Sequence, residues 1–128
     1  MMKQIIKTDK APAPIGPYNQ AIKAGETIYL SGQIAINPQT GNLVTDNIVA
    51  ETHQVMQNIK AILEASKISF EHVVKTTIFL SDMALFAAVN EVYGSYFSGD
   101  YPARETIAVK GLPKNVHVEI SMIALQHL

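Results

Sequence analysis

The sequence predicts an α+β domain in which two helices cover one face of a small mixed sheet, in the order β-β-β-α-β-α-β-β. Three observations carry that prediction. Ile48, Thr52, Val55, Met56, Ile59, Ile62 and Leu63 recur at steps of three and four, the spacing of one helix face. Val73 to Leu80 is a β-branched, apolar run of the kind found in buried strands. Val116 to Leu125 alternates. It places Val116, Val118, Ile120, Met122 and Ala124 on an apolar face, and His117, Glu119, Ser121, Ile123 and Leu125 on the other.

The remaining elements follow along the chain. Lys3 to Lys7 reads as a first strand. Pro12, Pro14 and Pro17 then hold Ala11 to Pro17 as extended coil, since three prolines deny it a regular ladder. Asn19 to Ala24 and Thr27 to Ile34 form a predicted hairpin about Ala24-Gly25-Glu26. In its second strand Tyr29, Ser31 and Gln33 share one face, opposite Ile28, Leu30 and Ile34. Asn37 to Asn42 is a turn by composition, and Asp46 or Asn47 suits the N-cap of the first helix. Asp82 can cap the second helix, whose buried stripe is Leu85 or Phe86, Val89, Val92 or Tyr93, and Tyr96 or Phe97. Gly99 and Pro102 close it off before the strand Arg104 to Val109, and Gly111 and Pro113 break the chain before the last strand.

At 128 residues the chain reads as a single domain, residues 1–128, with no repeat or linker. Apolar residues make up 48% and charged ones 16%, which excludes a disordered chain and suggests apolar surface covered by another copy. Ten Lys and Arg against 11 acids, with no basic run, argue against nucleic-acid binding. No apolar run approaches the roughly 18 residues of a membrane span. Met1 to Lys7 has no secretory h-region, so the cytoplasm is the default location. The absence of cysteine excludes disulfides, thiol nucleophiles and zinc-thiolate sites.

Arg104 and Glu119 are the leading chemical candidates. A guanidinium can fork two donors onto a carboxylate, so Arg104 could anchor a small organic acid. It could equally form an ion pair across a hairpin. Glu119, among apolar neighbours, could be a poised carboxylate that orients water, or an edge-strand glutamate facing solvent. His117 shares the Glu119 face and could seed a metal site or a base dyad, but no third ligand has a persuasive spacing. His53, His72 and His127 read as solvated. Ser31 lacks a G-x-S-x-G elbow and an activating histidine, so it is a hydrogen bond within a site or a satisfied core hydroxyl. The glycines do not gather into a phosphate loop, and no cofactor motif is present.

Several motifs occur together and in order between about Ala13 and Ala124. They are Ile15-Gly16-Pro17-Tyr18-Asn19-Gln20-Ala21, Leu30-Ser31-Gly32-Gln33-Ile34, and Asp82-Met83 followed by Phe86, Asn90 and Tyr93. Pro102-Ala103-Arg104, Leu112-Pro113-Lys114 and Val118-Glu119-Ile120 complete the set. In these the chain resembles the Rid family of reactive intermediate deaminases, in particular its RidA subfamily. The resemblance implies a chorismate-mutase-like fold, a homotrimer with clefts between subunits, and no metal or organic cofactor. The implied activity is hydrolysis of 2-imino or enamine acids, such as 2-iminopropanoate and 2-iminobutanoate, to 2-keto acids and ammonia. Arg104 matches the arginine that holds the substrate carboxylate, and Glu119 the carboxylate that positions water. Tyr18, Ser31 and Asn90 match residues lining the cleft, and Gly32 and Thr106 are expected to border the substrate with them.

Two residues depart from that pattern. Glu105 stands where many relatives carry a small residue, and alternation aims it away from Arg104 unless the strand bulges. Thr106 stands where relatives often have cysteine, on the Arg104 face. Both bear on substrate range more than on reaction class. The alternative function is a non-catalytic protein that binds 2-keto acids in the same cleft and regulates a partner.

Overall fold

The computed structural model describes residues 2–128; Met1, the first residue of the segment read for a leader, lies outside them. Six strands form one mixed sheet in the order β1-β2-β3-β6-β4-β5. They are β1 (Lys3–Ile6), β2 (Ala21–Ala24), β3 (Thr27–Gln33), β4 (Val73–Leu80), β5 (Ala103–Ala108) and β6 (Val118–Leu125). Helices α1 (Ile48–Ala65) and α2 (Phe86–Gly94) pack on each other and on one sheet face. The α+β architecture is the expected one. No helix among the described residues is long and apolar enough to cross a membrane.

The order β4-α2-β5 explains the mixed sheet. A parallel neighbour requires a crossover, and α2 supplies it, so β5 pairs in parallel with β4 and ends the sheet as an edge strand. All other pairings are antiparallel. Asn47 caps α1, its side chain accepting from the Ala50 N–H at 2.8 Å. Asp82 does the same for Ala84, at the start of a short 3₁₀ turn (Met83–Leu85) that runs into α2.

The core lies between helices and sheet. Val55, Met56, Ile59, Ile62 and Leu63 of α1 meet Ile28, Ile78, Leu80, Val118, Ile120 and Met122 from the strands, all essentially buried. Among the described residues nothing forms a covering layer on the opposite sheet face. It presents Tyr29 (46% exposed) and Ile107 (45%) beside half-buried Phe79 and Ile123. That apolar surface is what the low charge content led one to expect.

Candidate active site

Strand β3 does not keep its alternation. Leu30 pairs with Met122 and Gln33 with Ile120, so three steps on β3 oppose two on β6. The extra residue is a bulge at Ser31-Gly32, and it turns Gln33 inward, to 5% exposure. The expectation that Tyr29, Ser31 and Gln33 share one face is therefore corrected. Alternation holds to Leu30 and slips by one beyond it.

The bulge makes room for Glu119. Its carboxyl lies directly on the Gly32 backbone. A Cβ at position 32 would collide with Glu119 Oε2 and stand 2.9 Å from its Cδ. Glycine is what lets the carboxyl lie in this place. The reason is the close approach and not the backbone conformation, since Gly32 is not in the left-handed region. Burial pushes the Glu119 carboxyl above its ordinary value. No hydrogen bond from the described residues reaches its oxygens.

Around Glu119 a cleft of about 350 Å³ is lined by Tyr18, Ser31 and Gly32, with Ile15, Ile34 and Pro113 among its apolar walls. Ser31 is fastened from both ends: its N–H donates to Gln20 O at 2.9 Å, and its hydroxyl donates to Asn19 O. The proline-rich coil forms the outer wall. Gln20, buried beneath it, holds that coil. Its side-chain oxygen accepts from the Thr8 N–H at 2.8 Å, and its amide donates to the carbonyls of Thr8, Ala11 and Pro12. Tyr18 Oη accepts from the Ile15 N–H at 3.3 Å, curling the coil over the cleft.

Arg104 lies elsewhere. It pairs with Thr76, whose hydroxyl accepts from the Tyr93 hydroxyl at 2.9 Å on the helix-covered face. Its guanidinium stacks against α2, 5.1 Å from the Tyr93 ring centre and 5.7 Å from that of Phe86. Burial raises the Tyr93 hydroxyl's pKa, against the opposing pull of its Thr76 hydrogen bond and of nearby Arg104. Arg104, Asn90 and Tyr93 line one groove beside Tyr101 and Pro102. The ion pairs among the described residues are Lys75–Glu105, His117–Glu51 and His127–Glu26, so Arg104 has no carboxylate partner.

The hairpin reading of Arg104 and Glu119 is thus corrected. Strand β4 runs between β5 and β6, and Glu119 pairs with Phe79, three residues beyond the Thr76 that faces Arg104. Ordinary sheet spacing then puts the two Cα atoms about 14 Å apart. Alternation along β4 puts the side chains on opposite faces. Tyr18, Ser31, Gly32 and Glu119 line one cleft; Asn90 and Arg104 line a separate groove. Within a chain they do not meet.

Thr106 follows Arg104 on the same face, opposite Ile78, but lines neither cleft, and its hydroxyl is buried without a partner. Glu105 points away from Arg104, as alternation predicts, and pairs with Lys75 at 3.1 Å. His117 turns to Glu51 rather than to Glu119, and among the described residues no three His, Cys, Asp or Glu gather as metal ligands. His53 and His127 are exposed and His72 half-buried, each hydrogen-bonded at the surface. Sequence reasoning passed over Glu51, and named Gln20 only as part of a motif, with no role. Glu51 could have been found, because it lies one turn before Val55 and Ile59 on the apolar stripe.

A family model described as Endoribonuclease L-PSP matches residues 8–126. The chain belongs to the Rid family. Among curated relatives, a RutC family protein of Pyrococcus horikoshii is 52% identical over 96% of this chain and 98% of its own. A 2-iminobutanoate/2-iminopropanoate deaminase of Mus musculus is 46% identical over 98% of this chain and 93% of its own. The crystal structure of RidA from an Antarctic Psychrobacter superposes with a TM-score of 0.92 at 46% identity, covering 95% of this chain and 98% of that one. This Rid chain therefore has the fold of RidA.

Proposed function

We propose that this chain hydrolyses small 2-imino acids, and the enamines that give rise to them, to 2-keto acids and ammonia in clefts formed between copies of itself. The observation that supports this best is a pair of unmatched groups. A half-buried carboxylate lacks a hydrogen-bond donor, and a guanidinium lacks a carboxylate, on opposite faces of the same chain. A 2-imino acid supplies what both lack: a carboxylate for the guanidinium and, beside it, an electrophilic C=N carbon for a water held by Glu119.

The two half-sites suit a heterologous contact. Arg104 sits on the edge strand and α2, whereas Glu119 sits on the uncovered face. If the edge of one copy meets the face of the next, and the rotation closes, a ring results with one complete cleft per contact. A homotrimer is the proposed ring. The apolar open face would be buried within it.

In such a cleft Arg104 forks onto the substrate carboxylate and fixes the imine carbon. Glu119, with a pKa raised by burial, takes a proton from water as its oxygen adds to that carbon. Glu119 passes that proton to nitrogen, giving a carbinolamine. As the C–N bond breaks, the hydroxyl proton is also relayed to the departing nitrogen, so that ammonia leaves and a C=O group remains. Tyr18, Ser31 and Asn90 border the substrate. Such imines hydrolyse unaided, so the chain need supply only a few kcal/mol, about 1.4 for each tenfold gain. Relatives named 2-iminobutanoate/2-iminopropanoate deaminase at 43–47% identity support the reading.

The test generates 2-iminopropanoate and 2-iminobutanoate with an amino-acid oxidase and traps free imine with semicarbazide. Wild type should lower the trapped imine and Arg104→Ala should not. If wild type binds keto acids yet leaves the trapped imine unchanged, the cleft is a binding site and the deaminase reading fails.

A further inference from the structure

The fully buried charged side chain of this molecule among the described residues is Glu51, in the first turn of α1, and the proposed chemistry does not use it. Its Oε2 accepts from the backbone N–H groups of His117 at 2.7 Å and Val118 at 3.1 Å, and its Oε1 meets His117 Nδ1 at 2.8 Å. These bonds join two segments 66 residues apart in sequence. They fall on the entry to β6, two residues before Glu119.

That entry needs holding. Lys114 (φ 55°) and Asn115 (φ 56°) are consecutive left-handed residues, neither of them glycine. Such a conformation persists where surrounding contacts impose it. The turn's own bonds are Asn115 N–H to Leu112 O at 3.0 Å and a longer one from Val116 to Pro113 at 3.3 Å. Immediately beyond, Glu51 grips two successive N–H groups, while the His117 carbonyl accepts from Ser81 N–H at 3.0 Å. The strained turn carries Pro113, a wall of the Glu119 cleft.

We propose that Glu51 is a positioning residue, whose buried carboxylate clamps the entry to β6 and so holds Glu119 on the Gly32 backbone. The role deepens the reading of Glu119 as the carboxylate that holds water, and rests on it. A clamp acting on Glu119 alone leaves the Arg104 half-site untouched. Loosening it lowers kcat and spares KM, because the substrate carboxylate is still held. A small displacement of a reacting group has a large kinetic effect.

The experiment compares wild type with Glu51→Gln and Glu51→Leu by imine kinetics and by carbon-13 NMR titration of the Glu119 carboxyl. Gln keeps an oxygen for the two N–H groups, so its kcat should stay within about threefold of wild type. Leu should lower kcat about 10- to 100-fold with KM nearly unchanged. The Glu119 titration in the Leu variant should move down toward the ordinary carboxylate value as water reaches it. A folded Leu variant with wild-type kcat and an unmoved Glu119 titration overturns the proposal, as does an equal loss in Gln and Leu. If Leu does not fold, His117→Ala removes the side-chain bond and leaves the backbone pair. A smaller shift of Glu119 in the same direction then supports the clamp, and none overturns it. Should wild type show no imine turnover, the deaminase reading falls while the Glu119 titration still decides the clamp.

Discussion

At Gly32 the missing side chain decides where a carboxylate can lie. Gly32→Ala drives Glu119 off its seat, because the new Cβ would occupy the space of its Oε2. The expected result is a folded protein with kcat reduced about tenfold or more, read in the imine-trapping assay. Arg104→Lys keeps the charge but loses the fork, and should lower kcat/KM by about 10- to 100-fold. Wild-type turnover in that variant would show that the anchor is not bidentate. Thr106 offers a contrast. Its hydroxyl is buried and unpartnered, so Thr106→Val should leave the melting temperature unchanged or raise it, by up to about 1 kcal/mol of stability. A marked loss of activity in that variant would give the hydroxyl a substrate role in the assembled cleft. Glu119 itself predicts a pH dependence. Burial raises its folded pKa above 4.5, so the folded state holds a proton that the unfolded state has released. Its contribution to stability is therefore full below that ordinary value and is lost as pH rises through the raised one. Activity runs the other way, since holding water needs the ionised form. The acid limb of kcat/KM should lie above the ordinary carboxylate value, and Glu119→Gln should be inactive yet more stable than wild type at neutral pH.

At the scale of elements, α1, β4 and β6 were legible because each buries one face and repeats its apolar residues at the matching period. Val118, Ile120, Met122 and Ala124 did line the core, and Asn47 and Asp82 did cap. The β3 bulge was not legible. Leu30-Ser31-Gly32-Gln33 reads as continued alternation, and the inserted residue shows only against its partner on β6. The pairing order was hidden for the same reason: periodicity gives the face a residue takes, not its neighbouring strand. That is why Arg104 and Glu119 could be read as hairpin partners when β4 runs between them. The proposed site residues were picked out through the motifs around them, and their separation onto two faces came from topology. Glu51 was missed because a glutamate on an apolar stripe reads as its polar margin until a pair of backbone donors is seen opposite.

For the whole molecule, the governing fact is that the sheet has one face covered by helices and one left open. Glu119 belongs to the open face and Arg104 to the covered one, at the free edge. In the ring proposed above, that separation would become complete sites, and Ile107, Phe79 and Tyr29 would be covered at once. Subunit mixing tests this most directly. Arg104→Ala and Glu119→Gln, each expected to be inactive alone, are unfolded, mixed in equal amounts and refolded together. If each site takes Glu119 from one copy and Arg104 from the next, about a quarter of wild-type turnover returns, the chance that a contact joins two intact halves. If the mixed assembly forms and stays as inactive as its parents, the two residues do not act across a subunit contact, and the account of the site is wrong.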